Sequence, residues 1–384
     1  MKTERLFKTP LGEAQKRNSE KNHVECSSGK TVLESYPRRI VFELTNKCNF
    51  QCVMCGRESA DFKTSDLPVS VIKSFRSFFQ FAEETTLHGW GEGTLHPKLP
   101  EILEYLNTFP LLRKYFVTNG STLPKIMESV FEHHVDLIAV SLDGVTPGTN
   151  DSIRKGGDLK REVRSIKRIL LEKERRNLDY PYVNLVFTAM ARNIHELPGM
   201  VRLAYEMGVP EVKAVYLTIF NDGLRKDTLF DRQELVKRHF IEAREAAERL
   251  NIYLKLPELQ GESDAGDLAH KPCAFPWRDF YIGSDTFVRP CQSSAERLLS
   301  VKDFRTPEDA WNSKDMQNIR LSVNDARLMP ASCRNCYHST CANWNLKKSF
   351  LQLNNSFAPE WGAKDTVIPA AAAPVASAEP KGVQ

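Results

Sequence analysis

The chain of 384 residues is long enough to bury a large core and, by length alone, allows two to three domains. It is 41% hydrophobic and 27% charged, as is ordinary for a soluble globular protein, and a formal net charge of +4 is too small at this size to nominate nucleic acid or a membrane as the partner. The first residues lack the apolar segment of a secretory signal and no run of about 18 apolar residues follows, so we expect a cytoplasmic protein.

Residues 1–35 are polar with little periodicity and are expected to form a loosely ordered arm or a short cap. From Arg38 onward, strand-like runs alternate with helical patterns, which predicts right-handed crossovers and a parallel sheet. The simplest such α/β fold is an open or closed barrel. The predicted strands are Ile40–Leu44, Thr85–His88, Lys114–Thr118, Leu137–Leu142, Tyr182–Ala189 and Val212–Leu217. The predicted helices are Pro68–Phe81, Leu99–Leu106, Pro124–His133, Lys160–Arg175, Glu196–Met207 and Asp231–Leu250.

Three cysteines, Cys48, Cys52 and Cys55, follow the first predicted strand with the spacing C-x3-C-x2-C. A loop at the carboxyl end of a strand can direct three sulfurs to one centre. Three thiolates leave a zinc site one ligand short, and the next few residues contain neither Cys nor His, although Glu58 is a chemically possible ligand. A [4Fe-4S] cluster held by three cysteines leaves one iron open to a small molecule.

This spacing, and its place after a first strand, resemble the radical S-adenosylmethionine (SAM) superfamily. The resemblance implies that the open iron chelates SAM and that an electron cleaves SAM to a 5'-deoxyadenosyl radical, which removes hydrogen from a substrate. It also implies a partial (β/α)6 TIM-like barrel over residues 36–256 and a reductase such as flavodoxin or ferredoxin. A buried or zinc-binding cysteine loop is the alternative at this point.

The second predicted strand ends in a glycine-rich loop, where Gly91 and Gly93 flank Glu92. Chemistry in such sheets gathers at the carboxyl ends of the strands, and flanking glycines let the backbone approach a ligand closely. The loop resembles the GGE-type motif of the superfamily, which implies that Glu92 or the neighbouring backbone binds the amino group of SAM. Gly93 stands where relatives commonly carry proline, which makes the loop less rigid. A simple turn is the alternative.

Ser141 and Asp143 end the fourth predicted strand, and the strand period of two places them on one face. If that face is the barrel interior, the pair can serve the ribose hydroxyls of SAM or the substrate; otherwise it satisfies backbone groups at the strand end. The resemblance implies that Arg154 lies near the carboxylate of SAM. The basic helix Lys160–Arg175 has apolar residues at helical spacing and interleaved glutamates, which favour a solvated outer helix over a nucleic-acid site.

A second group of cysteines follows residues 257–272, whose Glu, Asp and Gly content indicates a linker. The group, which includes a C-x2-C pair, comprises Cys273, Cys291, Cys333, Cys336 and Cys341. These cysteines predict a metal centre that staples a small domain with few apolar residues, and both zinc and iron-sulfur are open choices.

The arrangement resembles the SPASM or twitch auxiliary-cluster domain, with a spacing similar to that of the 2-deoxy-scyllo-inosamine dehydrogenase of aminoglycoside biosynthesis. It implies a Cys-rich α+β domain over residues 273–350 with one auxiliary [4Fe-4S] cluster. The implied ligands are Cys273, Cys291, Cys333 and Cys336, with Cys341 surplus or alternative. The low-complexity tail, residues 362–384, is expected to be disordered.

These patterns together predict a radical SAM enzyme that oxidises or otherwise modifies a small polar metabolite, such as an aminocyclitol or a sugar. The arm is too short for a peptide-recognition module, which favours a small molecule, but most relatives with the auxiliary domain act on peptides. A peptide maturase is therefore the alternative. A non-catalytic iron-sulfur or zinc protein is an alternative of another class, against which the cysteine motif and Glu92 argue, since an electron carrier needs no open iron.

Overall fold

A computed structural model of the protein describes residues 9–59, 63–257, 259, 273–294, 296–325, 327–330 and 333. The strands of this part are β1 (Arg39–Phe42), β2 (Gln51–Cys52), β3 (Glu84–Leu87), β4 (Arg113–Thr118), β5 (Leu137–Ser141), β6 (Arg154–Lys155), β7 (Tyr182–Ala189), β8 (Glu211–Tyr216), β9 (Tyr253–Lys255), β10 (Asp279–Ile282), β11 (Phe287–Arg289) and β12 (Leu299–Ser300). Ten of them form a sheet in the order β12-β11-β10-β1-β3-β4-β5-β7-β8-β9, and β2 pairs with β6.

The helices of the same part are α1 (Glu13–Ser27), α2 (Val69–Ser74), α3 (Arg76–Phe79), α4 (Leu99–Asn107), α5 (Leu123–Glu132), α6 (Pro147–Ile153), α7 (Leu159–Arg175), α8 (Leu197–Met207), α9 (Gln233–Leu250), α10 (Phe275–Arg278), α11 (Pro307–Trp311) and α12 (Lys314–Ser322). No helix among the described residues combines the length and the apolar composition that crossing a membrane requires.

The predicted partial TIM-like barrel is confirmed. Strands β1, β3, β4, β5, β7 and β8 are parallel neighbours joined by helical crossovers. The six predicted strands differ from the observed ones by at most two residues at either end. The predicted helix Pro68–Phe81 is instead two short helices, α2 and α3, because the backbone leaves the helical range at Phe75, whose ring packs against Phe42 and Phe280.

The two faces of the sheet carry different side chains. On β1, Ile40 and Phe42 join the main apolar core between sheet and helices, so the period of two turns Arg39 and Val41 to the barrel interior. A separate, smaller apolar cluster lines that interior: Tyr115, Leu137, Ala139, Val186 and Phe275. Many of the remaining interior positions are polar or charged, which is unusual for a surface that is buried.

The amino-terminal arm is helical over α1. Its buried stripe is polar, and each amide finds a backbone partner: Gln15 Nε2 donates to Ala82 O at 2.7 Å, and Asn22 Nδ2 donates to Trp277 O at 2.6 Å. Of the two forms expected for the arm, the described part is a cap. Hydrophobic periodicity does not predict this helix, because most of its buried side chains are polar.

The auxiliary segment continues the barrel sheet. Strand β10 pairs parallel with β1, from Arg39 opposite Asp279 to Phe42 opposite Ile282, and Arg39 and Asp279 form a buried ion pair. Strand β11 pairs antiparallel with β10 and β12. Cys336, Cys341, most of the linker 257–272 and the tail 362–384 lie outside the described residues.

Phe280 on β10 provides a test of this junction, because its fully buried ring lies 5.8 Å from the ring of Phe75 and 5.3 Å from that of Trp311. We expect Phe280→Ala to lower the free energy of unfolding by about 3–5 kcal/mol, since the cavity separates the auxiliary strand from the helices of the barrel. Urea unfolding monitored by circular dichroism measures the loss. The matched control Phe230→Ala, at a 36% exposed residue, should change it by less than about 0.5 kcal/mol. Equal losses in the two variants would contradict the prediction.

Candidate functional site

Cys48, Cys52 and Cys55 lie in the loop after β1, and all three are partly buried. Cys55 N donates to Cys52 O at 3.0 Å, and Cys48 Sγ accepts a hydrogen bond from Phe50 N at 3.4 Å. Burial raises the pKa of the Cys52 thiol to about 11; Arg154 opposes that shift, and Asp143 and the two other thiols add to it. The three sulfurs therefore interact electrostatically, and ligation by a cation would favour their thiolate forms.

Arg154 lies directly beside this loop. It is the antiparallel partner of Cys52 in the β2–β6 pair, and its Nε lies 2.7 Å from Asp143 Oδ2 in a buried ion pair. Burial alone would lower the pKa of Arg154, but the Asp143 carboxylate and the neighbouring Cys52 outweigh it and the pKa is raised. A permanent positive charge next to thiolates offsets part of the negative charge that a cluster and its ligands concentrate.

The Glu92 carboxylate is bound by hydrogen-bond donors of the protein. Its buried carboxylate accepts hydrogen bonds from Thr118 Oγ1 and Asn119 N, both at 2.7 Å, and its own N–H donates to Lys47 O at 2.8 Å. Burial raises its pKa even though these donors act in the opposite direction. The structure thus shows Glu92 fastening the glycine-rich loop to β4, and a direct contact with SAM stays a prediction.

Position 91 requires a glycine because two loops approach each other closely there. A Cβ at this position would stand 2.3 Å from Thr45 O and 2.5 Å from Lys47 O, so only glycine lets the glycine-rich loop lie on the cysteine loop. The backbone around Gly91 therefore borders the loop that carries Cys48. This placement brings two of the predicted site segments together.

A repeated contact links the carboxyl ends of neighbouring strands. A buried carboxylate that follows one strand accepts a backbone N–H close to or beyond the end of the adjacent strand in the sheet. The three N–H···O distances are 2.7 Å each, for Trp90 to Glu43, Asn119 to Glu92 and Thr188 to Asp143. These three residues, Glu43, Glu92 and Asp143, are called the rim carboxylates below.

Sequence reasoning missed Glu43. Its second oxygen accepts from Ser284 N at 2.9 Å and Ser284 Oγ at 2.8 Å, so one carboxylate ties β1, the glycine-rich loop and the auxiliary segment together. The available signal was an acidic residue two positions after Val41 in an otherwise apolar strand, just before the cysteine motif.

Ser141 and Asp143 share the interior face, as the strand period predicts. Asp143 is fully buried and engaged by Thr188 N and Arg154, and burial raises its pKa. Ser141 is partly exposed at the end of β5. The structure therefore assigns Asp143 a bracing contact, and a contact of either residue with the ribose of SAM stays a prediction.

Two of the described auxiliary cysteines, Cys273 and Cys291, border the same interior. Cys273 packs against both apolar clusters, Cys291 against the interior cluster and Cys333 against the main core. Cys291 Sγ accepts a hydrogen bond from Ser293 N at 3.4 Å. Cys48 Sγ accepts an equivalent bond from Phe50 N, so in both cases the donor is the residue two positions later in the chain. Such N–H···S bonds adjust the reduction potential of iron-sulfur clusters.

Iron-sulfur ligation fits these residues. Among the described residues, no three His, Cys, Asp or Glu side chains stand as close as a single metal ion requires. A [4Fe-4S] cluster does not need that spacing, because each cysteine sulfur binds a different iron atom. Three partly buried thiols in one loop suit the cluster: Cys48 has a backbone N–H on its sulfur, and Cys48 and Cys52 interact electrostatically with the Arg154 guanidinium.

Comparison with known proteins identifies the class. Residues 42–172 match the family model of the radical SAM superfamily, and residues 273–337 match that of the SPASM iron-sulfur cluster-binding domain. The chain belongs to the radical SAM superfamily and carries a carboxyl-terminal SPASM domain. Its cofactors are a [4Fe-4S] cluster, SAM and auxiliary iron-sulfur.

Curated relatives match part of the chain. A probable GTP 3',8-cyclase of Methanocaldococcus jannaschii is 26% identical over 44% of this chain and 56% of its own length. The AdoMet-dependent heme synthase of Methanosarcina barkeri is 29% identical over 51% of this chain and 55% of its own length. The chain thus spans little more than half the length of these two relatives.

Solved structures share the fold. Streptococcus suis SuiB bound to S-adenosylmethionine superimposes with a TM-score of 0.62 at 13% identity, covering 85% of this chain and 77% of SuiB. The anSMEcpe protein with bound AdoMet gives a TM-score of 0.57 at 17% identity, covering 83% of this chain and 90% of the other.

The Asp143–Arg154 pair can be tested by a double-mutant cycle. Asp143→Asn leaves the Arg154 charge buried without its counter-ion, so we expect the free energy of unfolding to fall by about 3–5 kcal/mol. The double variant Asp143→Asn, Arg154→Met should lose less, because no buried charge remains. Urea unfolding of the cluster-free chain measures these two variants and the single variant Arg154→Met, which completes the cycle. Strictly additive losses would contradict the pairing.

Glu92→Gln tests the bracing role of this carboxylate. The amide places an N–H₂ group against the chain's own donors, so we expect the loop to lose about 1–3 kcal/mol of local stability, read as faster hydrogen exchange at Asn119 N–H. Thr118→Val is the matched control, because it removes one donor and keeps the charge. If Glu92 also contacts the SAM ammonium, only Glu92→Gln should weaken SAM binding, by about 1.5–3 kcal/mol. Unchanged exchange at Asn119 would remove the bracing role.

Proposed function

We propose that this radical SAM enzyme removes hydrogen from a small polar metabolite, which is aminocyclitol-like or sugar-like, and oxidises or otherwise modifies it with the help of one auxiliary [4Fe-4S] cluster. The observation that carries the proposal is that both cysteine groups lie next to the barrel interior, which is called the chamber below. Cys48, Cys52 and Cys55 follow the carboxyl end of β1, and Cys273 and Cys291 pack against the apolar cluster that lines the interior.

In this proposal Cys48, Cys52 and Cys55 hold the SAM-binding cluster. When bound, that cluster and SAM supply a 5'-deoxyadenosyl radical. The backbone around Gly91 and the Arg154 guanidinium lie beside the cysteine loop, where they can orient the amino and carboxylate groups of SAM.

The chain also shields this loop. The rings of Trp90 and Phe220 meet edge to face at 5.0 Å over Gly56, so closely that a Cβ on Gly56 would stand 2.5 Å from the Trp90 ring. These aromatic rings come from the loops after β3 and β8 and exclude water next to Cys55, as radical chemistry requires.

The auxiliary cluster is assigned to Cys273, Cys291, Cys333 and Cys336, with Cys341 as surplus or alternative. A hydrogen atom taken from a carbon leaves an odd electron, so completing an oxidation requires an electron acceptor near the substrate. Cys273 and Cys291 border the chamber and are therefore placed to serve it. The external electron donor in this proposal is a reductase such as flavodoxin or ferredoxin.

A peptide is the competing substrate class. The structures of the same fold include SuiB bound to its precursor peptide SuiA, at 13% identity, whereas the curated relatives are named for GTP and heme chemistry. The buried polar groups of the barrel interior favour a small-molecule substrate over a peptide, because they can contact a ligand that the barrel encloses.

Iron content and SAM cleavage test the assignment together. Anaerobically reconstituted protein should bind about eight irons, and the triple variant Cys48→Ala, Cys52→Ala, Cys55→Ala should keep about four and lose SAM cleavage. The matched variant Cys273→Ala, Cys291→Ala should lose the other four and still form 5'-deoxyadenosine with dithionite, but yield little or no product.

Circular dichroism must first show that both variants fold, because a metal-stapled domain can unfold without its metal. Two zinc ions and no acid-labile sulfide in the anaerobic protein would refute the proposal. Full product formation by a folded auxiliary variant would remove the electron-acceptor role and leave the first cluster unaffected.

A further inference from the structure

A single row of paired residues crosses four strands of the barrel. Ser141 on β5 is opposite Val186 on β7, Val186 is opposite Lys213 on β8, and Lys213 is opposite Lys255 on β9. Residues directly opposite one another in a sheet project from the same face. Because Val186 belongs to the interior apolar cluster, both lysines lie on the interior face, level with the last residue of β5.

The two lysines share one carboxylate. Lys213 and Lys255 are 3% and 6% exposed, and Lys213 Nζ lies 3.5 Å from Glu211 Oε1. The other Glu211 oxygen accepts from Tyr182 Oη at 2.9 Å. Tyr115 and Tyr253 also face this carboxylate electrostatically, and both are neutral at pH 7. Within the described part of the chain, two ammonium groups against one carboxylate leave an excess of one positive charge.

Lys255 carries that excess. Its Nζ donates no hydrogen bond to the described residues and stands 5.7 Å from the centre of the Tyr253 ring. Burial lowers the pKa of Lys255 to about 8; Lys213 adds to the shift and Glu211 opposes it. At pH 7 most of the molecules still carry the charge. A buried ammonium without an acceptor is costly unless a ligand supplies one.

Asn184 is a second unsatisfied group on the same face. It pairs with Ala139 of the interior cluster, and the β7–β8 register places it next to Glu211. The side chain is fully buried, and neither its oxygen nor its nitrogen has a hydrogen-bond partner among the described residues. Native proteins leave few such groups, and those they leave commonly face a ligand.

We propose that Lys255, together with Lys213 and Asn184, binds an anionic group of the substrate, a carboxylate or a phosphate. The inference rests on the proposed function, because it takes the chamber as the substrate site. It narrows the substrate from polar metabolites in general to acidic or phosphorylated ones. A cationic aminocyclitol would meet like charge at Lys255.

SAM also has a carboxylate, and it is the competing occupant. Arg154 lies on β6, beside the cysteine loop that follows β1. Lys255 lies on β9, the last strand at one end of the sheet, and the strands β3, β4, β5, β7 and β8 stand between β1 and β9. If the lysines served SAM, their removal would weaken SAM binding. If they serve the substrate, SAM affinity and SAM cleavage are unchanged.

The test uses the reconstituted enzyme with SAM bound and two probes, inorganic phosphate and acetate, against chloride at matched ionic strength. The rise in thermal midpoint with probe concentration gives the dissociation constant. We expect one of the two probes to stabilise the enzyme, and the responding probe identifies the anionic group. Lys255→Met should weaken its binding by about tenfold or more, since a charge-assisted contact is lost.

The matched control is Lys114→Met. Lys114 is 2% exposed on β4, but it lies on the opposite face, where its Nζ donates to Asn107 Oδ1 at 3.4 Å. This variant should keep the full response to the probe. Lys255→Arg should keep it too, because the charge remains. Lys255→Met should also raise the midpoint of the anion-free enzyme, since it removes a buried, unmatched charge.

Three results would overturn the inference: no response of the unmutated enzyme to either probe, an equal response in Lys255→Met, or weaker SAM binding in that variant. None of these readouts requires turnover. If the unmutated enzyme bound no iron or did not cleave SAM, the proposed function would be refuted instead. Failure of the proposed function can thus be distinguished from failure of this inference.

Discussion

The site depends on three buried carboxylates at the rim of the barrel. Beyond the last residue of each strand the ladder of backbone hydrogen bonds ends, yet the loops that follow must hold their positions to within a fraction of an ångström. Glu43, Glu92 and Asp143 replace the missing ladder, each by accepting an N–H from the neighbouring strand end. A charged acceptor makes that bond stronger than a backbone carbonyl would.

The consequences reach the cysteines directly. Glu43 is five residues before Cys48, and Asp143 holds Arg154, which is the pairing partner of Cys52. The cysteine loop is therefore held by Glu43 ahead of Cys48 and, through Arg154, by Asp143 at Cys52. The cost is the burial of three carboxyl groups, which this chain meets with several donors to each of them.

The sequence predicts the parts of this protein that short-range periodicity controls. The six barrel strands and the cysteine spacing belong to that group, because both are read within a few residues. Pairing of β10 with β1 could not be predicted, since residues 42 and 282 meet only in the folded chain. Helix α1 was missed because its buried stripe contains Gln15 and Asn22, which satisfy backbone groups where apolar residues are usually expected.

The same limit applies to function. An interior lysine such as Lys213 has the sequence signature of an exposed one, and only the register across four strands shows that Lys213 and Lys255 are adjacent and buried. The roles of Glu92 and Asp143 show the converse. Their positions at strand ends are apparent from the sequence, but Asn119 and Thr188, whose N–H groups bind their oxygens, lie 27 and 45 residues further along the chain.

The parallel pairing of β10 with β1 also bears on how the molecule can be divided. Strand β1 is an inner strand only because β10 covers one side of it. A barrel separated from its SPASM segment would expose the N–H and C=O groups of Arg39 to Phe42 as a bare edge, flanked by the apolar side chains of Ile40 and Phe42. Such an edge is a template for self-association. The auxiliary segment thus protects the barrel against aggregation, independently of any electron that its cluster transfers.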